Sequence, residues 1–300
     1  MLIAQITDPH VTVEGSMIRS LVDTPARLAE ALAQCAALPR TPDLILMTGD
    51  LVNDGTAAEY DLLAEVLAGT PAPILPIPGN HDDPERLATT FAHLDCCPVA
   101  LPDRRPFHYT YDGHVEADHV RFVALDSTLA GHHSGRITPE SAAWLDDRLA
   151  ESRVPTIVFL HHTPYATGSW WFDYQGVAGA DLLREVVCAH PHVLRVVAGH
   201  VHRATSTQWG GPGTTRVTLS TAPSTAFLAG TGVAGGPPVI VDQRAPVTLF
   251  DVDRDGTLVA SESDMPGDHV VIDARHLGSD WETYERKARA GGPITFDDDR

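Results

Sequence analysis

Basic residues are scarce in this chain. Lys and Arg total 21 against 40 Asp and Glu, a formal net charge of −19 over 300 residues. A surface that acidic repels a nucleic-acid backbone, and no basic stripe offsets it, so a nucleic-acid polymer is not an expected partner. Cysteine is scarce too. Cys35, Cys96, Cys97 and Cys188 form no CxxC pair, which argues against a disulfide framework or a zinc ribbon and leaves Cys96-Cys97 to packing. Long hydrophobic runs are missing, since none approaches the ~18 apolar residues that a membrane span needs. The opening Met-Leu-Ile-Ala-Gln-Ile-Thr has neither a basic n-region nor a small-residue cleavage site. These absences predict a soluble, cytoplasmic protein acting on small molecules.

What is present suits an α/β domain. The chain is 43% hydrophobic, enough for one large domain with decorations or two small ones. Short apolar runs at Leu2–Thr7, Leu44–Met47, Ile74–Ile77, Thr156–Leu160 and Val193–Ala198 read as buried strands. Helical spacing appears at Asp23–Leu38, started by Thr24-Pro25, and at Ala57–Ala68, with Thr56 as cap and Gly69 beyond its end. Further helices are expected at Pro139–Leu149 and Ala180–Ala189, and a hairpin at Phe107–Tyr111 with Val120–Leu125. From Ala204 the pattern turns to β, with Arg254-Asp255-Gly256 as a turn. Gly230–Pro238 reads as a mobile loop. The domain is drawn at residues 1–265. Residues 266–300 are expected to form an extension, partly disordered or packed on a partner subunit, which leaves room for a homodimer or higher homo-oligomer.

Sixteen histidines stand beside those few cations and point toward metal chemistry. Polar clusters follow the apolar strands: Asp8-Pro9-His10, Gly49-Asp50, Gly79-Asn80-His81-Asp82, His161-His162 and Gly199-His200-Val201-His202. Open α/β sheets collect ligands at the carboxyl ends of their strands, so five distant segments deliver polar groups to one rim. If the strands stay extended, residues i and i+2 point the same way, and Asp8 with His10, or His200 with His202, can converge. The glycines before Asp50, Asn80 and His200 allow close backbone approach. Of seven candidate donors, only Asp8 and Asp50 carry charge, and two divalent ions would leave the site roughly +2. Such a site attracts phosphate and lowers the pKa of bound water toward ~7, and ions about 3.5–4 Å apart can share a hydroxide nucleophile. The mixed N/O donor set suits Fe, Mn, Zn or Co.

The ordered set resembles the full signature of the calcineurin-like metallophosphoesterases, over residues 8 to 202. That resemblance implies a four-layer αββα sandwich of two mixed sheets flanked by helices. It implies that Asp8, His10, Asp50 and His202 hold one ion, and that Asp50, Asn80, His161 and His200 hold the second, with Asp50 bridging. Asn80, His81 and His202 would meet substrate, and His81 would protonate the leaving oxygen or stabilise the transition state, unless it only supports its neighbours through Asp54 or Asp82. Phosphoprotein phosphatases carry an arginine in Gly-Asp-x-Val-Asp-Arg-Gly. This chain reads Gly49-Asp50-Leu51-Val52-Asn53-Asp54-Gly55 and lacks it. The stretch from His161 through Gly168-Ser169 to Gly199-His200-Val201-His202, together with Ala222-Pro223-Ser224-Thr225, is similar to bacterial class III cyclic-nucleotide phosphodiesterases and their glycerophosphodiesterase relatives. A cyclic nucleotide such as cAMP is the first expectation, a glycerophosphodiester or a broad range of phosphate esters the second, and a non-catalytic scaffold the third. His162 is a weak ligand candidate, and His108, His114, His119, His132 and His133 are read as surface residues. Trp170-Trp171-Phe172 is assigned to core packing or an interface ahead of a base-stacking wall. Arg203 is a candidate phosphate contact, with plain solvent exposure as the alternative.

Overall fold

A computed structural model of the chain describes residues 1–98, 101, 105–115, 118–230 and 239–263. The expected 266–300 extension, and the Gly230–Pro238 loop apart from Gly230, lie outside the described residues. Strands and helices alternate through the first half: β1 (Leu2–Ile6), α1 (Met17–Leu21), α2 (Thr24–Ala37), β2 (Leu44–Thr48), α3 (Ala57–Leu67), β3 (Ile74–Ile77) and α4 (Pro84–Thr90). The middle holds β4 (Tyr109–Val115), β5 (Asp118–Ala124), β6 (Gly135–Arg136), α5 (Pro139–Ala150), β7 (Thr156–Phe159), α6 (Trp170–Tyr174), β8 (Val177–Ala178), α7 (Ala180–Ala189) and β9 (Val193–Ala198). The rest is β10 (Thr205–Trp209), β11 (Val217–Thr221), β12 (Leu228–Ala229), β13 (Ile240–Val241), β14 (Thr248–Val252) and β15 (Leu258–Glu262).

Helix starts follow from local chemistry. The Asp23 carboxylate accepts from Ala26 N ahead of α2, and Pro25 loses no bond there because its position needs no N–H donor. Thr56 and Glu59 form a reciprocal capping box on α3, and the buried Glu59 also accepts from Asp54 N at 3.0 Å. Helices α1, α4 and α6 were not anticipated. At 5 to 7 residues they are too short to show a helical period.

The strands make two principal sheets. One is ordered β15-β14-β1-β2-β3 and the other β10-β11-β9-β7-β5-β4. In the first, β1, β2 and β3 run parallel and β14 returns antiparallel to β1. In the second, β5, β7, β9 and β11 are parallel, with antiparallel edges at β4 and β10. The parallel set thus extends one strand beyond the expected last member, β9.

Period-2 alternation makes the layers. Phe122, Ala124, Ile157, Phe159 and Val197 join Ile3, Ile45, Leu46 and the α2–α3 residues Leu28, Cys35 and Leu63 in one core. Their strand neighbours Val123, Leu125, Val158, Leu160, Val196 and Ala198 face the other way, onto Leu145, Leu149, Leu183 and Val187 of α5 and α7. The result is the expected sandwich of two mixed sheets between helix layers. Among the described residues no helix is long and apolar enough to cross a membrane.

Phe159 has no exposure and meets Tyr109 edge-to-face with centroids 6.0 Å apart. Phe159→Ala should cost about 3–5 kcal/mol. Urea unfolding checks this, and a loss under 1 kcal/mol would mean that the packing around Phe159 collapses into the gap.

Candidate metal centre

The β1, β2 and β3 ends of one sheet face the β7 and β9 ends of the other, and the polar clusters meet there. Hydrogen bonds stitch this rim. Gln5 Nε2 donates to Ala198 O and Thr48 Oγ1, both at 2.9 Å. The Asp8 carboxylate accepts from His200 N at 3.0 Å and from Thr7 Oγ1 at 2.6 Å. Ser224 Oγ donates to Asp8 O at 2.7 Å and accepts from Ala226 N and Phe227 N, so the Ala222–Thr225 segment leaving β11 braces the first motif.

The convergence is real, but not for the expected reason. Asp8 and His10 are not extended: their φ values are +49° and +42°, with Asp50 at +50°, His200 at +73° and His202 at +53°. Five of the seven candidate donors thus occupy the left-handed region, a conformation costing non-glycine residues about 1–3 kcal/mol each and clustering at functional sites. The glycines work by close approach. A Cβ on Gly79 would lie 2.2 Å from Asp50 Oδ1, and one on Gly49 2.4 Å from His161 Nδ1.

Asp50 sits at the middle. Its Oδ2 lies 3.4 Å from His161 Nε2 and 3.6 Å from His10 Nε2, while Oδ1 accepts from His81 N at 2.9 Å. On one side Asp8, His10 and His202 gather, with His202 Nε2 3.4 Å from Asp8 Oδ1 and 3.2 Å from His10 Nε2. On the other, Asn80 Oδ1 lies 3.2 Å from His161 Nε2, and His200 groups with His161. Backbone carbonyls set the tautomers. His161 Nδ1 bonds Thr48 O at 2.9 Å and His202 Nδ1 bonds Phe227 O at 3.0 Å, so each turns Nε2 inward.

Burial drives His10 and His200 down to about 3, keeping both in the neutral form that binds metal. Burial opposes charge on His161 as well, yet Asp50 lifts it to about 9. Burial would raise Asp50, but the imidazoles, His161 foremost, hold it well below the usual carboxylate range. The donors fit cations. His200 Nε2 is buried without a hydrogen-bond partner among the described residues. The Nε2 atoms of His10 and His202 face each other at 3.2 Å, and with His10 protonated on Nδ1 both present lone pairs that a cation between them would relieve.

Several expectations need correction. His81 Nδ1 bonds Asn53 O at 2.6 Å and neither Asp54 nor Asp82. Asp82 instead accepts from Gly79, Leu51 and Val52 amides and from Tyr60 Oη, clamping the two turns together, and burial beside Asp50 raises it to about 7. His162 groups spatially with His161 and His200, but both its ring nitrogens are engaged, by Ser127 Oγ at 2.9 Å and His133 O at 3.1 Å. His108 is not a surface residue. It stacks on Trp144 and bonds Ser141 Oγ and Asp126 N. Phe172 lies against His200 and His202 rather than in the core, and Trp171 is 37% exposed. Arg203 is half-buried and bonds Ala229 O. Sequence reasoning missed Phe227, which stacks on His10 at 5.3 Å, and placed His133 at the surface without seeing its contact with Asn80.

A two-sheet sandwich with this rim of Asp, Asn and His is the architecture of a metallophosphoesterase. The family model for calcineurin-like phosphoesterase matches residues 1–204, and the chain belongs to that family. It is 32% identical over 226 residues, 75% of this chain and 77% of the relative, to the glycerophosphodiester phosphodiesterase GpdQ of Enterobacter lignolyticus. Over 207 residues, 67% of this chain and 73% of the relative, it is 36% identical to a probable cyclic nucleotide phosphodiesterase of Synechococcus. A dimetal phosphatase from Danio rerio shares the fold with a TM-score of 0.58 at 12% identity, covering 88% of this chain and 96% of that one.

Asp50 stands between the two groups of side chains, whereas Asn80 belongs to one of them. Asp50→Ala should strip both ions, whereas Asn80→Ala should weaken mainly one. Metal content after gel filtration reads the difference, and equal loss in both variants contradicts a bridging Asp50.

Proposed function

We propose that the chain is a dinuclear-metal phosphodiesterase whose substrates are 3′,5′-cyclic nucleotides such as cAMP. The observation that carries this reading is the gathering of the Asp8 carboxylate, one amide and four imidazoles around Asp50, with His81 beside them and outside the donor set. Asp8, His10, Asp50 and His202 would hold one divalent ion, and Asp50, Asn80, His161 and His200 the other. When bound, the pair supplies Lewis acidity at the phosphoryl oxygens and an activated water. The Thr48 and Phe227 carbonyls keep the imidazoles aimed, and Asp82 holds the Asp50 and Asn80 turns in register. With Nδ1 anchored on Asn53 O, His81 presents Nε2 to the leaving oxygen as the group that passes it a proton.

A cavity of about 880 Å³ opens beside Asn80 and His81, large enough for a nucleotide. The Gly49–Gly55 segment offers no arginine to grip a monoester dianion, which supports a diester. The identity to GpdQ favours a glycerophosphodiester as the second reading. A non-catalytic scaffold is disfavoured because no candidate donor is missing.

Chelation should abolish hydrolysis and Mn²⁺ should restore it, with bis-p-nitrophenyl phosphate cleaved at higher kcat/KM than p-nitrophenyl phosphate. Full activity in metal-free protein sinks the dinuclear reading, and the reverse substrate order moves it to a monoesterase. A panel of cAMP and glycerophosphodiesters then ranks the two diester classes.

His81→Ala should retain both ions and lose roughly 10²–10⁴ in rate on alkoxide leaving groups, but far less on p-nitrophenolate, which departs without a proton. Equal losses on both would assign His81 to charge stabilisation, and a parallel fall in metal content would make it a support for the donors.

A further inference from the structure

Beside Asn80 lies a residue that the motifs do not include. Asn80 Nδ2 is 3.2 Å from His133 Nδ1. An amide nitrogen only donates, so His133 Nδ1 accepts and the ring carries its proton on Nε2. This bond decides which end of the Asn80 amide turns inward. With Nδ2 occupied by His133, Oδ1 is the atom left 3.2 Å from His161 Nε2. The oxygen is the end that ligates a cation.

His133 lies exposed in the connection between β5 and α5, where one bond to a neighbour would not hold it in place. Its backbone is tied down from beneath. The fully buried His162 donates from Nε2 to His133 O at 3.1 Å. Its Nδ1 then accepts from Ser127 Oγ at 2.9 Å, while Ser127 Oγ accepts from His162 N at 3.2 Å. Every proton in this chain has a donor and an acceptor. Gly135 lets the connection press against that ring, since a Cβ there would lie 2.5 Å from His162 Nδ1 and 2.6 Å from Ser127 O. On its outer side the His133 ring stands 5.7 Å from His81.

We propose that His133 is a positioning residue that fixes the Asn80 amide with its oxygen turned into the second-ion site, and that the buried His162 ring is the post on which His133 rests. The inference rests on the dinuclear reading above and says why two neighbouring imidazoles outside the donor set sit where they do.

The test is calorimetric titration of Mn²⁺ into metal-free full-length protein, alongside hydrolysis of bis-p-nitrophenyl phosphate at limiting and excess Mn²⁺. His133→Ala should leave the first ion's affinity as in wild type and weaken the second about 10- to 100-fold. Its rate should fall at limiting Mn²⁺ and recover in excess. His133→Asn should restore most of the loss, because the Asn Oδ1 takes the place of Nδ1 as acceptor. His133→Gln, one bond longer, should not. Wild-type affinity for the second ion in His133→Ala overturns the inference, as does an Asn variant no better than Ala, or equal weakening of both ions. A wild type that takes up fewer than two ions overturns the dinuclear reading and this inference with it. A wild type that binds two ions yet cleaves no phosphodiester overturns the phosphodiesterase reading alone.

Discussion

The Asp50 carboxylate is the point on which the two sheets agree. It leaves β2 on a left-handed turn, binds the His81 amide of its own sheet with one oxygen, and faces His161 of the other sheet with the second. A buried carboxylate in that position needs opposite charge, and the surrounding imidazoles or bound cations must provide it. The donors from β1 and β3 on one side, and from β7 and β9 on the other, can meet it only if the sheets hold a fixed distance. The Gln5, Asp8 and His161 hydrogen bonds across the seam set that distance.

Strain and support are distributed accordingly. Left-handed backbone at Asp8, His10, Asp50, His200 and His202 is unfavourable residue by residue, and it persists because the flanking strands are largely buried and paired. A rigid sandwich therefore carries a strained rim. Such a rim has its donors in place before any ion or substrate arrives, which lowers the reorganisation needed on binding. The supporting groups are as specific as the donors. Asp82 binds three amides and a tyrosine hydroxyl, and Ser224 binds one carbonyl and two amides, without either facing the centre as a donor.

The setting of the centre is chemically uneven. Phe172 and Phe227 wall the His10, His200 and His202 side, while the Asn80 and His81 side opens to a large cavity. In a chain of net charge −19, an under-neutralised cationic centre is the feature that would draw an anionic ester toward that opening.

The apolar strand runs, the capped helices and the order of the Asp, Asn and His clusters are properties of the sequence by itself, because hydrophobic period and capping are local and the clusters fall where strands must end. Those were enough to expect the seven candidate donors on one rim. The sequence could not say how they converge: Asp8-x-His10 reads as two side chains on one face of a strand, and only the folded chain shows left-handed turns instead. Only the family resemblance ranked His161 above His162, since adjacent residues of one type differ only in what surrounds them. Tertiary structure aims one imidazole at Asp50 and binds both nitrogens of the other to Ser127 and His133. The roles of His108, Phe172, Phe227 and His133 were hidden for the same reason. Each depends on a neighbour more than 25 residues away in the chain, and distant neighbours are a product of packing.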